Sequence, residues 1–434
     1  MRRGNKNGLS DRKTGYLLVL PALLLILVIA IYPVARSFFI SMYDIRLNDP
    51  TKQEAYSSYG INLELYAQNA PLLASAFEEE IGKAKGTTQE ELTHLRDQVQ
   101  EVTAALESDP DLKKNYDQVD EILLEGEAIP EAIKIVDVDE EKARSASEKL
   151  VKVKNRLTNL DKAGKLAHPK KVIGLTRGTL DSFIEPNFIG LKYYTQYFND
   201  NRMWSSLNNT FIFTFVSVTL ELIFGLWIAM VINREFFGRG AVRAAVLIPW
   251  ALPTAVAALM WKFLFDGQNG ILAMIFEKVG LISNMGTLLT TPFWSMFAVI
   301  FADVWKTTPF MALLILAGLQ TIPQSLYEAA EVDGAGKVQQ FIKITLPMLR
   351  TTILVALLFR TLDAFRVFDL IFVLTGGGPA NATESISMYA YKVMFAQMNF
   401  GAGSALSVIV FLCVAAISIL FVKLLGRDLI SDKN

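Results

Sequence analysis

Residues 16–40 read YLLVLPALLLILVIAIYPVARSFFI, twenty-five positions with one charge, Arg36. Wound as an α-helix at about 1.5 Å per residue, this run exceeds the roughly 30 Å hydrocarbon thickness of a bilayer. A surface helix of a soluble protein needs a polar face, and this one has none. A basic stretch precedes it (Arg2, Arg3, Lys6, Arg12, Lys13). The run is too long for the apolar stretch of a cleavable leader and lacks a small-residue cleavage site, so it reads as an uncleaved membrane span.

Five further segments of the same kind follow, at Asn209–Ile232, Ala244–Phe265, Phe293–Leu319, Thr351–Leu374 and Gly403–Leu425. The mean hydropathy of +0.33 over 434 residues is the average of these runs and the charged stretches between them. Lysines and arginines near span ends mark the cytoplasmic side. With the N-terminus inside, Arg234, Arg239, Arg243, Lys337, Lys343, Arg350, Lys423, Arg427 and Lys433 all fall inside, whereas the short loops opposite carry only Lys278 and Lys392. A multi-pass protein of the cell membrane with both termini cytoplasmic is expected.

The lone cysteine, Cys413, rules out an intrachain disulfide and a thiol-held metal centre, and His94 and His168 show no HExxH spacing. No metal site, no catalytic residue and no nucleic-acid partner is expected. The phosphate-binding pattern GxxxxGK[ST] is also absent, so any ATP would be hydrolysed by another polypeptide.

Between the first two spans lies a long polar segment on the outer side, about 45–186. Within it Leu92, Leu95, Val99, Val102 and Leu106 recur at alternating spacings of three and four, after Thr88 and Glu91 at capping-box distance. Ala146, Leu150, Val153, Leu157 and Leu160 repeat the pattern. Two matching stripes with a middle broken by Gly126 and Pro130 imply an antiparallel helical hairpin, with a short third helix around Tyr116–Leu124. Two amphipathic helices packed on something else would give the same stripes.

Between the fourth and fifth spans the chain reads Glu328-Ala329-Ala330-x-x-x-Gly334, then nine residues, then Ile344-x-Leu346-Pro347. This fills every position of the EAA loop, and the chain resembles the permease subunits of binding-protein-dependent ABC importers. A short helix is expected from Ser325 to Val332, with Ser325 as cap, Glu328 three residues on, and Gly334 and Gly336 at its end. The resemblance implies that this helix docks in a groove of an ATPase subunit through Glu328, Ala329, Ala330, Asp333, Gly334, Gly336, Ile344, Leu346 and Pro347. Further stretches, 187–194 (NFIGLKYY), 248–253 (IPWALP) and 374–379 (LTGGGP), look like the maltose-type sugar permeases.

The resemblance thus implies an all-α integral membrane protein of six transmembrane helices, the type I ABC importer permease fold, carrying a large extracytoplasmic helical-hairpin insertion. Its expected parts are 1–44, the insertion at 45–186, and a permease core at 187–434 with its coupling loop at 321–347. The implied partners are a second homologous permease, two ATPase subunits holding ATP and Mg, an extracellular solute-binding protein, the lipid bilayer and a sugar. This chain itself needs no cofactor.

Charges inside spans are costly unless they face a cavity or each other. Asp303 and Lys306 lie in the fourth span, and Arg360, Asp363, Arg366 and Asp369 follow at intervals of three in the fifth. Three readings stay open: an ion ladder joining permease subunits, a polar lining of the sugar path, or a proton relay. By resemblance Trp250, Thr254, Trp305, Lys306 and Thr307 match sugar-contacting positions, while tryptophans at helix ends also anchor membrane interfaces. Helix breaks are expected at the prolines flanking Trp250 and near Pro309. A self-sufficient secondary transporter or channel is the competing function. It would carry inverted repeats, and none is evident.

Overall fold

The computed structural model describes residues 11–431; Arg2, Arg3, Lys6 and Lys433 of the basic flanks lie outside them. The chain divides into two compact units, one holding the apolar helices and one comprising Met42–Gly190 with Met398–Gly401.

In the first unit five helices are long and apolar enough to cross a membrane, and a bent pair makes a sixth when counted as one span. Span one runs through Asp11–Ile26, a wide π-turn at Leu27–Ile31 and Tyr32–Ile40. That turn falls just before Pro33, whose ring would otherwise collide with the carbonyl one turn back. Span two is Asn201–Asn233, begun by Asp200 accepting from the Arg202 N–H at 2.9 Å.

Span three is the bent pair, Arg239–Ala251 and Thr254–Leu264, which meet at 90° across Leu252 and Pro253. The break expected beside Trp250 is therefore present. Span four, Pro292–Leu319, contradicts the break expected at Pro309, because the helix continues through it. Thr307 and Thr308 donate to the carbonyls of Asp303 and Val304, each at 2.6 Å, and the neighbouring spans pack against this stretch.

Span five starts earlier than Thr351 and stops short of Leu374: it is continuous over Lys337–Phe365, through a second π-turn at Phe341–Thr345 just before Pro347. The chain breaks after Phe365 and resumes as a separate short helix, Asp369–Leu374. Span six is Phe400–Ser431.

Glycines let the spans approach closely. A Cβ on Gly225 of span two would lie 2.8 Å from Met311 of span four, and one on Gly318 would lie 2.6 Å from Thr352 of span five. The described apolar side chains of span one from Tyr16 to Tyr32 are exposed, as suits a helix whose surroundings are lipid or another chain.

The second unit is built on five longer helices, Leu63–Lys83, Thr87–Glu107, Pro110–Glu125, Glu140–Lys162 and Pro169–Leu180. All ten residues of the two apolar stripes are buried in one core. The hairpin is thus present but covered by Leu63–Lys83 and Pro169–Leu180, which its stripes did not announce. The capping box does not form: Thr88 lies inside the helix, which follows Gly86 with no side-chain cap, and Glu91 instead pairs with Arg156. A small antiparallel sheet of Gly60–Asn62, Ile135–Asp137 and Phe183–Ile184 joins the helices, with Gly60 opposite Ile184.

Candidate functional site

Glu221 sits near the middle of span two, fully buried, with no acid closer than Asp200 or Glu235 along the chain. Its carboxylate accepts a fork from Arg360 of span five, Nε at 2.6 Å and Nη2 at 2.8 Å. The Thr307 hydroxyl of span four lies 2.7 Å from the same carboxylate, its one proton shared with the Asp303 carbonyl at 2.6 Å. Arg360 also reaches Asp303 Oδ2 with Nη2 at 3.2 Å and Asp363 Oδ2 with Nη1 at 2.6 Å. One guanidinium, 2% exposed, therefore ties three spans through three carboxylates. In a medium without water every such group must be satisfied internally, and bidentate geometry is the strongest way to do it.

The alternating charges do not form one continuous helical face. The helix ends at Phe365, Arg366 caps it, and Asp369 opens the next helix. Arg360 is buried within its own chain, which removes it from any ladder between subunits. Asp363 and Arg366 are different: their side chains are 57% and 69% exposed and lie 3.5 Å apart.

These two line a cavity of about 240 Å³ together with Trp250, Thr307, Phe310, Phe359 and an edge of Arg360. The bend at Pro253 ends the helix that carries Trp250, whose ring stacks on Phe310 with centroids 5.8 Å apart and planes 20° apart. The cavity thus pairs a flat aromatic wall with a carboxylate and a guanidinium. That combination suits a ring with an apolar face and hydroxyl edges.

Of the sequence-derived path residues, Trp250, Thr307, Asp363 and Arg366 come together here. Four do not line this cavity. Thr254 lies across the bend, Trp305 packs edge-on against Trp261 at 5.3 Å in an apolar groove, Lys306 is buried one turn from Asp303, and Asp369 belongs to the separate short helix. Glu221 escaped the sequence reading, although an acid inside an apolar span is itself the signal.

The EAA segment forms a helix, Gln324–Val332, preceded by Pro323 with no side-chain cap. Ser325 is inside the helix, so its expected capping role is not observed. The C-terminal end is a Schellman turn: Ala335 N–H bonds the Ala330 carbonyl at 2.8 Å and Gly334 N–H bonds that of Glu331 at 3.0 Å. Gly334 has φ +79, which glycine alone adopts freely. Gly336 has ordinary φ and instead precedes Lys337–Gln340.

The Tyr327 hydroxyl lies 3.0 Å from that of Thr345, fastening this helix to the base of span five. Hydrogen bonds from Lys337 and Gln340 hold the Glu331 carboxyl below its usual range. Glu328, Ala329, Asp333 and Gly334 are exposed, as are Val332 at 88% and Val338 at 73%. An apolar, small-residue surface edged by carboxylates is thus open to a partner. Ile344 and Leu346 lie half-buried in and just after the second π-turn, with Pro347 exposed beside them.

Thr383 ties the LTGGGP stretch through the Thr375 hydroxyl and the Gly378 carbonyl, and beside it lies fully buried Glu384. This residue accepts a fork from Arg202, both contacts at 2.9 Å, and a bond from Lys392 at 2.8 Å. Burial pushes its carboxyl up, but the bonds from Arg202 and Lys392 outweigh that and leave it below the usual carboxylate range. Gly377, at φ +85, passes close enough that a Cβ would stand 3.1 Å from Lys392 Nζ.

Among the described residues no group of His, Cys, Asp and Glu could hold a metal ion. Residues 221–431 match the family described as binding-protein-dependent transport system inner membrane component. The chain is 46% identical over 243 residues to the trehalose/maltose transport system permease protein MalF of Thermococcus litoralis, covering 56% of this chain and 81% of that one. It is 45% identical over 254 residues to the trehalose transport system permease protein SugA of Mycobacterium tuberculosis, covering 58% and 80%. The sulfoquinovosyl glycerol permease SmoG of Agrobacterium fabrum is 40% identical over 248 residues, covering 56% and 80%. Among solved structures, a bacterial ABC transporter that imports the acidic polysaccharide alginate shares the fold, with a TM-score of 0.50 and 24% identity over 55% of this chain and 84% of that one. Six crossings, a filled EAA loop and these relatives converge: the chain belongs to the inner-membrane permease components of binding-protein-dependent transport systems.

Proposed function

We propose that this chain is one of two permease subunits that form the path for a sugar or short oligosaccharide. An extracellular binding protein delivers the sugar, and separate ATPase subunits, which hold ATP and Mg, drive transport. The observation that carries the sugar reading is the cavity in which Trp250, stacked on Phe310, faces Asp363 and Arg366. Relatives named for trehalose and maltose agree with it. The charge bias of the loops supports a cytoplasmic side for both termini and the EAA loop and an outer side for the insertion.

In this reading the Gln324–Val332 helix docks on an ATPase subunit through Glu328, Ala329, Ala330 and Asp333. Gly334 sets its end, and Gly336, Ile344, Leu346 and Pro347 carry its displacement into span five. Trp250, Thr307, Asp363 and Arg366 hold the sugar; Thr254, Trp305, Lys306 and Asp369 are no longer assigned direct contact.

The test uses the whole importer in proteoliposomes with its binding protein, scoring sugar imported per ATP hydrolysed. Trp250→Ala removes an aromatic wall worth about 0.5–1.5 kcal/mol, so this ratio should fall about three- to tenfold. An unchanged ratio would remove the cavity from the path. Transport by the chain alone, driven by an ion gradient, would overturn the permease reading altogether.

The insertion is proposed to guide or clamp the loaded binding protein. Because Gly60 and Ile184 are cross-strand partners, residues 61–183 can be replaced by an Asn-Gly hairpin turn. The trimmed complex should assemble and hydrolyse ATP in the absence of binding protein, while its affinity for the binding protein drops. Unaltered affinity in a titration of stimulated ATP hydrolysis would assign the insertion another role.

A further inference from the structure

The cavity's carboxylate does not hold its own position. Asp363 lies in the last turn of a helix that stops at Phe365, where an aspartate on an otherwise open wall has several rotamers available. Its Oδ2 is held by Arg360 Nη1 at 2.6 Å. Arg360, which itself reaches the cavity wall, is a flexible side chain whose Nε and Nη2 are committed to Glu221 at 2.6 and 2.8 Å. Glu221, in turn, is fixed by Thr307, whose side chain lines the cavity and bonds the carboxylate at 2.7 Å.

The order is therefore Glu221, Arg360, Asp363, cavity. Glu221 itself lines no wall of the cavity. Without its fork the guanidinium could rotate toward Asp303, at 3.2 Å the longest of its carboxylate contacts, and Asp363 would keep only the weaker 3.5 Å contact of its other oxygen with Arg366. A planar fork is a rigid transmitter of position, which a point charge is not.

We propose that Glu221 is a positioning residue for the substrate cavity: through the Arg360 fork it sets the orientation in which Asp363 meets a sugar hydroxyl. This rests on the cavity being the sugar site.

The test is a double-mutant cycle in the reconstituted importer, with whichever of trehalose and maltose the unaltered complex imports. Asp363→Asn should lower sugar imported per ATP about tenfold, the scale of a hydrogen bond to a charged group. Glu221→Gln, which keeps side-chain shape, should lower it about threefold. The two together should do no worse than Asp363→Asn alone, because both act through one oxygen. A merely structural Glu221 would lower yield and thermal midpoint and leave the ratio unmoved, or would add its loss to that of Asp363→Asn. Either result overturns the proposal.

Glu221→Asp, which keeps the charge but withdraws the fork by one methylene, supplies the cycle if the glutamine variant does not assemble. Failure of both to assemble would make the residue structural and equally overturn the proposal. An unchanged ratio for Asp363→Asn alone would instead strike the cavity reading, so the two failures are told apart.

Discussion

Arg360→Ala is expected to leave little assembled protein. The substitution strands fully buried Glu221 and largely buried Asp303 among apolar side chains without their common cation. Breaking a buried pair on one side costs about 3–5 kcal/mol, a large share of the roughly 5–15 kcal/mol that stabilises a typical folded chain. Spans two, four and five would lose the contact that joins them at membrane depth. Replacing both partners, as in Glu221→Met with Arg360→Met, should recover much of the loss, because no uncompensated charge of that pair remains. Yield and thermal midpoint of the detergent-solubilised complex provide the measurement. An Arg360→Ala complex with unaltered yield and midpoint would show the cluster to be dispensable.

The second large effect is expected at the EAA loop. Glu328→Lys should leave insertion and assembly of the permease pair intact while lowering ATP-driven uptake by more than about thirtyfold, the loss typical of an interface hot spot. Glu328 is exposed on a helix held by Tyr327 to Thr345 and closed by Gly334, so charge reversal alters the docking surface and not the fold beneath it. Gly334→Val should match it by another route. A Cβ there meets no atom within 4 Å, but φ +79 is an outlier for a β-branched residue, so the Schellman turn opens and the exit direction changes. Wild-type uptake by an assembled Glu328→Lys complex would exclude a docking role for this surface.

Much of this was legible from residue order. Long apolar runs define spans because the bilayer imposes a minimum length, and the heptad stripes of the insertion found their core because ten buried residues obey one spacing. Span ends were less legible. Lys337–Gln340 is polar yet helical because it emerges from the bilayer, and the break at Arg366–Phe368 carries neither proline nor glycine. Leu63–Lys83 was hidden by Pro71 in its interior and by an inner face of small alanines at 67, 70 and 76.

The site divided the same way. Trp250 was legible from the prolines around it. Glu221 is marked in the sequence only as an acid inside an apolar span; its partners come from two other spans, and no local spacing encodes a contact across 139 residues. The series Arg360, Asp363, Arg366, Asp369 looked uniform, but one guanidinium is buried against Glu221 while Asp363 and Arg366 are exposed on the cavity wall.

The second π-turn has a consequence for how the EAA loop is geared to span five. An α-helix advances about 100° per residue, and a π-turn absorbs one extra residue without extending the rod. Side chains at Lys337–Gln340 are therefore out of phase by about 100° with the pattern that Leu346–Phe365 would project backwards. Deleting one residue within Phe341–Thr345 would bring the two halves into phase. It would swing the face now carrying Gln340 around the axis while every residue beyond Pro347 kept its neighbours.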